Sequence, residues 1–374
     1  VSALRLPGRA VLRTGAYSLT VHRRSAAVCV LLLAVLLGAV TAALCLGDTY
    51  ITFADTVATL TGTTGYDRTI EVLRLPRTVL AVAAGAALAL GGALIQSVAR
   101  NPLASPDIVG VTAGAGLAAT FTLTFGLGYA LLAPSALVGG LAAAALVLLV
   151  AARGSLSAPR FVLAGVAVAV LLKSGIQILL LSADAIDAQR AQIWLIGTLG
   201  GRGWTEAAFL GAALALALPA LVWAQRALDT TDLDDPTATG IGVRVTGRRI
   251  GLAVLGVVLA SAAVSQVGAV EFVALAAPQI ARRLARTSRP PLLASALTGA
   301  VLLVLADWLG RTAFGDYQVP AGVLTAALGG LYLLYLLLTK GTRNEKKTAG
   351  LRARLGLRAR AGRVRDVRPG DRTQ

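Results

Sequence analysis

Residues 78–99 run for 22 positions without a charge, with Arg77 before them and Arg100 after them. A helix rises 1.5 Å per residue, so this run spans ~33 Å, enough to cross a hydrocarbon core of ~30 Å. Ala83, Ala84, Gly85, Ala86, Gly91 and Gly92 give it small faces. Small faces let helices approach closely in lipid, where burying apolar surface supplies no driving force. The pattern predicts a helix packed inside a bundle. Arg74 and Arg77 lie three apart beside Pro76, so they point the same way at one mouth of that helix. At the other end Arg100-Asn101-Pro102-Leu103 breaks the helix before a second Gly- and Ala-rich run.

Composition extends this reading to the whole chain. Of 374 residues, 56% are hydrophobic, and the mean hydropathy is +0.75. That is beyond a soluble globular chain and indicates many membrane spans. The formal net charge is nevertheless +17. Basic loops between apolar spans are expected where positive charge marks the cytoplasmic side. Nucleic-acid binding is the weaker account, because the cations are scattered among spans without an aromatic stacking platform. Cys29 and Cys45 fall in one predicted helix, ~24 Å apart, too far to bridge each other. His22 is the only histidine, so one chain cannot build a His-based metal site. No Gly-Lys-Ser or Gly-Lys-Thr occurs, so the chain has no P-loop.

The expected fold is an all-α, polytopic membrane protein of about ten transmembrane helices. The spans are 25–47, 78–99, two within 108–152 broken near 126–134, 161–183, 207–225, 250–267, one built on 272–281, 292–310 and 319–338. The eighth has only ten apolar residues and must borrow neighbours, tilt or break. Short helical pieces are expected at 51–60 and 188–197, and polar loops at 48–77 and 226–249. Residues 1–24 read as a basic N-terminal tail, 25–339 as the spanning domain, and 340–374 as a basic tail, disordered or lying on anionic lipid. Ten alternating spans with both termini inside leave 28 Lys and Arg inside and 6 outside. That assigns both termini to the cytoplasm. It also puts Arg74, Arg77 and Arg311 outside and Asn101-Pro102 inside.

The segments LRLPR, GAALALGGALIQ, RNPLASPDIVG and GVTAGAG, in that order and spacing, resemble the permease subunits of ABC importers for ferric siderophores, haem and cobalamin. The resemblance covers residues 25–338. The block GAVEFVALAAPQIARR, at 268–283, looks most like ferric-enterobactin-type members. The resemblance implies a permease dimer, homomeric or heteromeric, in the bacterial cytoplasmic membrane. An extracytoplasmic siderophore-binding protein would deliver cargo, and two partner ATPases would hold ATP and Mg. The chain itself would carry no catalytic residue, no metal site and no cofactor.

Carried over residue by residue, the resemblance makes Arg74, Arg77 and Arg311 receivers for glutamates of the binding protein. Arg311 follows the motif Leu305-Ala306-Asp307, and Asp307 is spaced to pair with it along one helix. Asn101 and Leu103 match the cytoplasmic gate. Asp234, Asp235, Ala238, Ile241, Gly242 and Val243 match the loop that couples to the ATPase, although the family's Glu and Leu are missing there. Glu271 departs from a position that is usually small. Lys173 lies mid-span, where a charge is costly unless it meets water or a partner. It and Gln96 are pathway candidates, with packing against a carboxylate or carbonyls as the rival role for Lys173. The same importer class serving haem or cobalamin is an alternative. So is an ion-coupled secondary carrier, which needs intramembrane carboxylates and has only Asp307 and Glu271 to offer.

Overall fold

The computed structural model describes residues 9–14, 17–47, 49–62, 66, 68–152, 158–231, 239–240, 242, 244–315 and 317–334. Residues Val1–Gly329 form one compact unit; a second, Gly330–Gln374, is described only through residue 334. After a short hairpin, β1 (Arg9–Thr14) and β2 (Tyr17–His22), the described chain is helical. The helices are α1 (Arg23–Cys45), α2 (Phe53–Leu60), α3 (Leu75–Ala99), α4 (Val111–Thr124), α5 (Leu132–Ala152), α6 (Ala158–Ser182) and α7 (Ala185–Ile196). They continue as α8 (Trp204–Thr231), α9 (Val245–Val267), α10 (Val273–Ala285), α11 (Leu292–Thr312) and α12 (Ala321–Leu334).

Every expected span has its helix. Among the described residues seven are long and apolar enough to cross a membrane: α1, α3, α5, α6, α8, α9 and α11. The other three, α4, α10 and α12, are shorter. α10 has 13 residues, or ~20 Å, and does not cross alone. It starts after Phe272, which adopts a left-handed φ of 66°. A bulky residue is seldom held there, so the chain is pinned at that turn.

The structure adds detail at three places. The basic N-terminal tail carries a paired hairpin with Arg9 opposite His22 and Thr14 opposite Tyr17. The polar stretch before α3 has the short helix expected at 51–60 and, beyond it, a further helical turn. It holds α2, whose N-cap Thr52 accepts the Asp55 N–H at 3.1 Å, and a π-helical turn at Arg68–Arg74 running directly into α3. Pro76 has no N–H to give the carbonyls of that turn, and the Glu71 carbonyl accepts from Trp204 Nε1 at 3.0 Å instead. Finally, α8 continues past residue 225 to Thr231. Gln, Arg, Ala and Leu are good helix formers, so the polar residues mark where the helix leaves lipid, not where it stops.

α3 is the hub. It packs against α8, α9, α10 and α11, and most of its side chains are buried. The small residues make this possible. A Cβ on Gly85 would collide with the carbonyl of Gly299 in α11, and one on Gly92 with that of Ala274 in α10. A Cβ on Gly91 would stand 2.7 Å from the carbonyl oxygen of Gly256 in α9. α5, α6 and α8 instead carry large apolar side chains outward, such as Leu149, Leu171, Leu181 and Leu216, as a lipid-facing or partner-facing surface requires.

Candidate functional site

At the end of the bundle that the charge distribution assigns to the outside lies a cavity of about 540 Å³. Arg74, Arg77, Arg202 and Arg311 line it together with Thr49, Thr69 and Gln318. The three arginines expected to act together therefore do meet, brought in by the π-turn, α3 and α11.

Their partners differ. Arg74 is only 7% exposed. Its Nη1 donates to the carbonyls of Leu44 at 2.6 Å and Cys45 at 3.3 Å, and its Nη2 to that of Thr49 at 2.6 Å. The carbonyls of Leu44 and Cys45 belong to the last turn of α1, where helical partners run out, so Arg74 caps that helix. Arg77 clasps Asp307 with Nε at 3.0 and 3.1 Å from the two carboxylate oxygens and Nη2 at 2.8 Å from Oδ1. Arg311 puts its Nε 3.2 Å from Asp307 Oδ2, the expected intrahelical pair, and its Nη2 donates to the Ala43 carbonyl at 3.4 Å. Asp307 thus holds two arginines from two helices. A carrier that loads an ion on this carboxylate would have to break both pairs.

Arg202 was not singled out in the sequence, where it is one arginine in a polar loop. Burial pulls its guanidinium below the usual arginine range, and the nearby Glu206 pulls it back. Glu206 is itself engaged, its Oε2 accepting the Gly203 N–H at 2.8 Å at the start of α8.

At the opposite end α3 closes with Arg100 in a left-handed conformation, φ 48°. The Asn101 N–H donates to the Gln96 carbonyl at 3.2 Å, and the Arg100 N–H to that of Ser97 at 3.4 Å. These are the paired bonds of a Schellman end. Asn101 then shapes the turn, its Oδ1 accepting the Leu103 N–H at 3.0 Å, and Leu103 is exposed. The two gate candidates are thus one unit: an Asx-turn and the apolar side chain it holds out.

Gln96 lies in the interior. Its Nε2 donates to the Leu275 carbonyl at 3.1 Å and reaches toward that of Ala274 at 3.5 Å, and its Oε1 accepts from Gln279 Nε2 at 2.5 Å. Pro278 explains the arrangement. With no N–H it cannot serve the carbonyl four residues back, on Ala274. Lys173 stands on the exposed face of α6 near Val170, Leu171 and Ile178. Its charge reaches Asp107 in the loop between α3 and α4, and so does that of the exposed Glu271. Burial first, and Glu271 second, push the Asp107 carboxyl up to about 6; the Thr112 and Ser105 hydroxyls and Lys173 act the other way. Of the coupling-loop residues, Asp234, Asp235, Ala238, Ile241 and Val243 lie outside the described residues. Gly242 is exposed with φ 80°.

A family model described as the FecCD transport family matches residues 32–339. The achromobactin transport system permease protein CbrC of Dickeya dadantii (strain 3937) is 43% identical over 273 residues, 72% of this chain and 78% of that protein. The ferric enterobactin transport system permease protein FepG of Escherichia coli (strain K12) is 39% identical over 267 residues, 71% of this chain and 81% of that one. A solved chain described as an inward-facing conformation of a metal-chelate type ABC transporter superposes with a TM-score of 0.74 at 26% identity, covering 84% of this chain and 99% of its own. Helix order, the small-faced hub and these matches agree: the chain belongs to the FecCD transport family.

Proposed function

We propose that this chain is the membrane permease subunit of an ABC importer for ferric siderophores. It pairs with a second permease subunit, takes cargo from an external binding protein, and is driven by two ATPase subunits that hold ATP and Mg. The observation that carries the reading is the arginine cavity. Positive charge is sparse at this end of the bundle, yet Arg74, Arg77 and Arg311 gather there in one recess. A recess of that sign suits acidic side chains on a docking protein, and complementary charge of this kind sets docking rate and orientation. The names of the relatives, achromobactin and ferric enterobactin permeases, support a ferric chelate as cargo. Asn101 and Leu103 are assigned the inner gate, residues 234–243 the contact with the ATPase, and Lys173 a place along the path of an anionic chelate. Gln96 is a bonded interior residue whose role in the pathway is to hold α3 to α10.

The test is ATP hydrolysis by the permease in lipid nanodiscs with its ATPase, with and without binding protein loaded with ferric chelate. Stimulation that weakens as salt rises is expected. Hydrolysis indifferent to every candidate binding protein in an assembled complex overturns the proposal.

A further inference from the structure

The cavity's fourth cation sits apart from the other three. Arg202 comes from the loop between α7 and α8, not from the π-turn, α3 or α11. Its Nε is buried with no hydrogen-bond partner among the described residues. Arg74 is committed to three carbonyls, and Arg77 and Arg311 share Asp307. Among the described residues only Glu206 acts on Arg202, and that carboxylate already caps α8. A buried guanidinium that lines a cavity with donors in hand is suited to an incoming carboxylate.

The loop that carries it is tied on several sides. The Thr198 N–H donates to the Val267 carbonyl at the end of α9 at 2.8 Å. The Gly322 N–H in α12 donates to the Gly197 carbonyl at 3.1 Å. Trp204 Nε1, one residue past the loop, donates to the Glu71 carbonyl in the π-turn at 3.0 Å. Within the loop the Gly200 N–H bonds Thr198 Oγ1 at 3.0 Å, and Gly197 and Gly201 take positive φ. A pull on Arg202 is thereby delivered to α8, α9 and α12.

We propose that Arg202 is a further docking cation, engaged by an acidic side chain of the external binding protein, and that it joins the docked protein to the α7–α8 loop and the helices bonded to it. This rests on the docking reading above. The cavity's volume leaves room for more than one acidic side chain, so Arg202 and the Arg77–Arg311 pair can each receive one.

The probe is the binding protein that stimulates the wild-type complex in the assay above; if none does, the docking reading falls and this proposal falls with it. If one does, its affinity for nanodisc-held Arg202→Gln and Arg202→Lys complexes is measured across salt concentrations. Arg202→Gln is expected to weaken binding roughly tenfold at low salt and to flatten the salt dependence. Arg202→Lys, which keeps the charge and controls for folding, is expected to recover part of the loss. Arg202→Glu is then paired with acidic-to-arginine substitutions on the binding protein, and one of them is expected to restore binding. Wild-type affinity and salt dependence in Arg202→Gln overturn the proposal. So does a loss that is equal at all salt concentrations and that no charge reversal restores, which marks a structural role. Unchanged docking with slower uptake of ferric citrate alone assigns Arg202 to the cargo's carboxylates and overturns the proposal as well.

Discussion

Replacing Asp307 with Asn tests the centre of the arginine cavity. The carboxylate is 3% exposed, Arg77 is 16% exposed and Arg311 is 11% exposed, so all three charges are largely out of water. At ~3 Å and an effective dielectric of ~20, each attraction is worth ~5 kcal/mol before desolvation is subtracted. Desolvation removes most of that gain while the pair is intact. It is not recovered when one partner is deleted, and such deletions cost ~3–5 kcal/mol. Asn keeps the shape but leaves two guanidinium groups facing each other with no anion between them. At ~2 °C per kcal/mol, the lower end appropriate to a large chain, the melting temperature falls by about 6–10 °C. The assay is thermal unfolding in nanodiscs at a fixed scan rate, because irreversible unfolding makes the midpoint depend on that rate. Arg77→Gln and the double variant complete a cycle, and the double variant is expected to lose clearly less than the sum of the two singles. A shift below ~2 °C for Asp307→Asn, or a strictly additive cycle, would refute the reasoning.

Three further outcomes are expected. Gly92→Ala forces a methyl against the Ala274 carbonyl and destabilises the hub by ~1–3 kcal/mol, read as loss of monodisperse, folded protein on extraction; unchanged yield and melting count against the close contact. Gln96→Leu removes the donor nearest the Ala274 carbonyl that Pro278 leaves unserved and leaves Gln279 without an acceptor, at ~1–3 kcal/mol per group, and a variant that melts no lower than wild type contradicts this. Asp107 has a folded-state pKa of about 6 against an ordinary value of 3.8. The folded state thus binds the proton more tightly, and stability falls as pH rises through that window and levels above it. Melting is expected to be higher at pH 5 than at pH 7 in wild type, with the Asp107 contribution absent in Asp107→Asn; an identical slope in both removes Asp107 as its source.

Uncharged run length and loop charge made the helix inventory legible, and small residues marked α3 as the hub. The limits of that reading are also physical. Helix ends in a membrane protein do not coincide with polarity, so α8 outlasts its apolar stretch and the π-turn hides inside a polar loop. The Asp307–Arg311 pair was visible because its spacing is helical. The Arg77–Asp307 clasp joins residues 230 positions apart, and the Gln96–Gln279 bond joins residues 183 apart. No local pattern announces either one. Pro278 was a usable signal: a proline in a buried helix frees a carbonyl, and a nearby glutamine is a natural donor to it. Arg202 carried no signal, since only the tertiary fold brings its loop to the cavity.

Side chains are the compliant layer in most helix contacts, changing rotamer when neighbours shift by an ångström. At Gly85, Gly91 and Gly92 that layer is missing, and main chain rests on main chain. Sliding of α3 past α9, α10 or α11 is then stepwise: a whole turn of ~5.4 Å to the next small residue, or nothing. The same rest recurs where Gly139 of α5 meets the Gly114 carbonyl of α4 and where Gly165 of α6 meets the Ile108 carbonyl, so a rearrangement of the bundle is expected to move packed groups of helices as units.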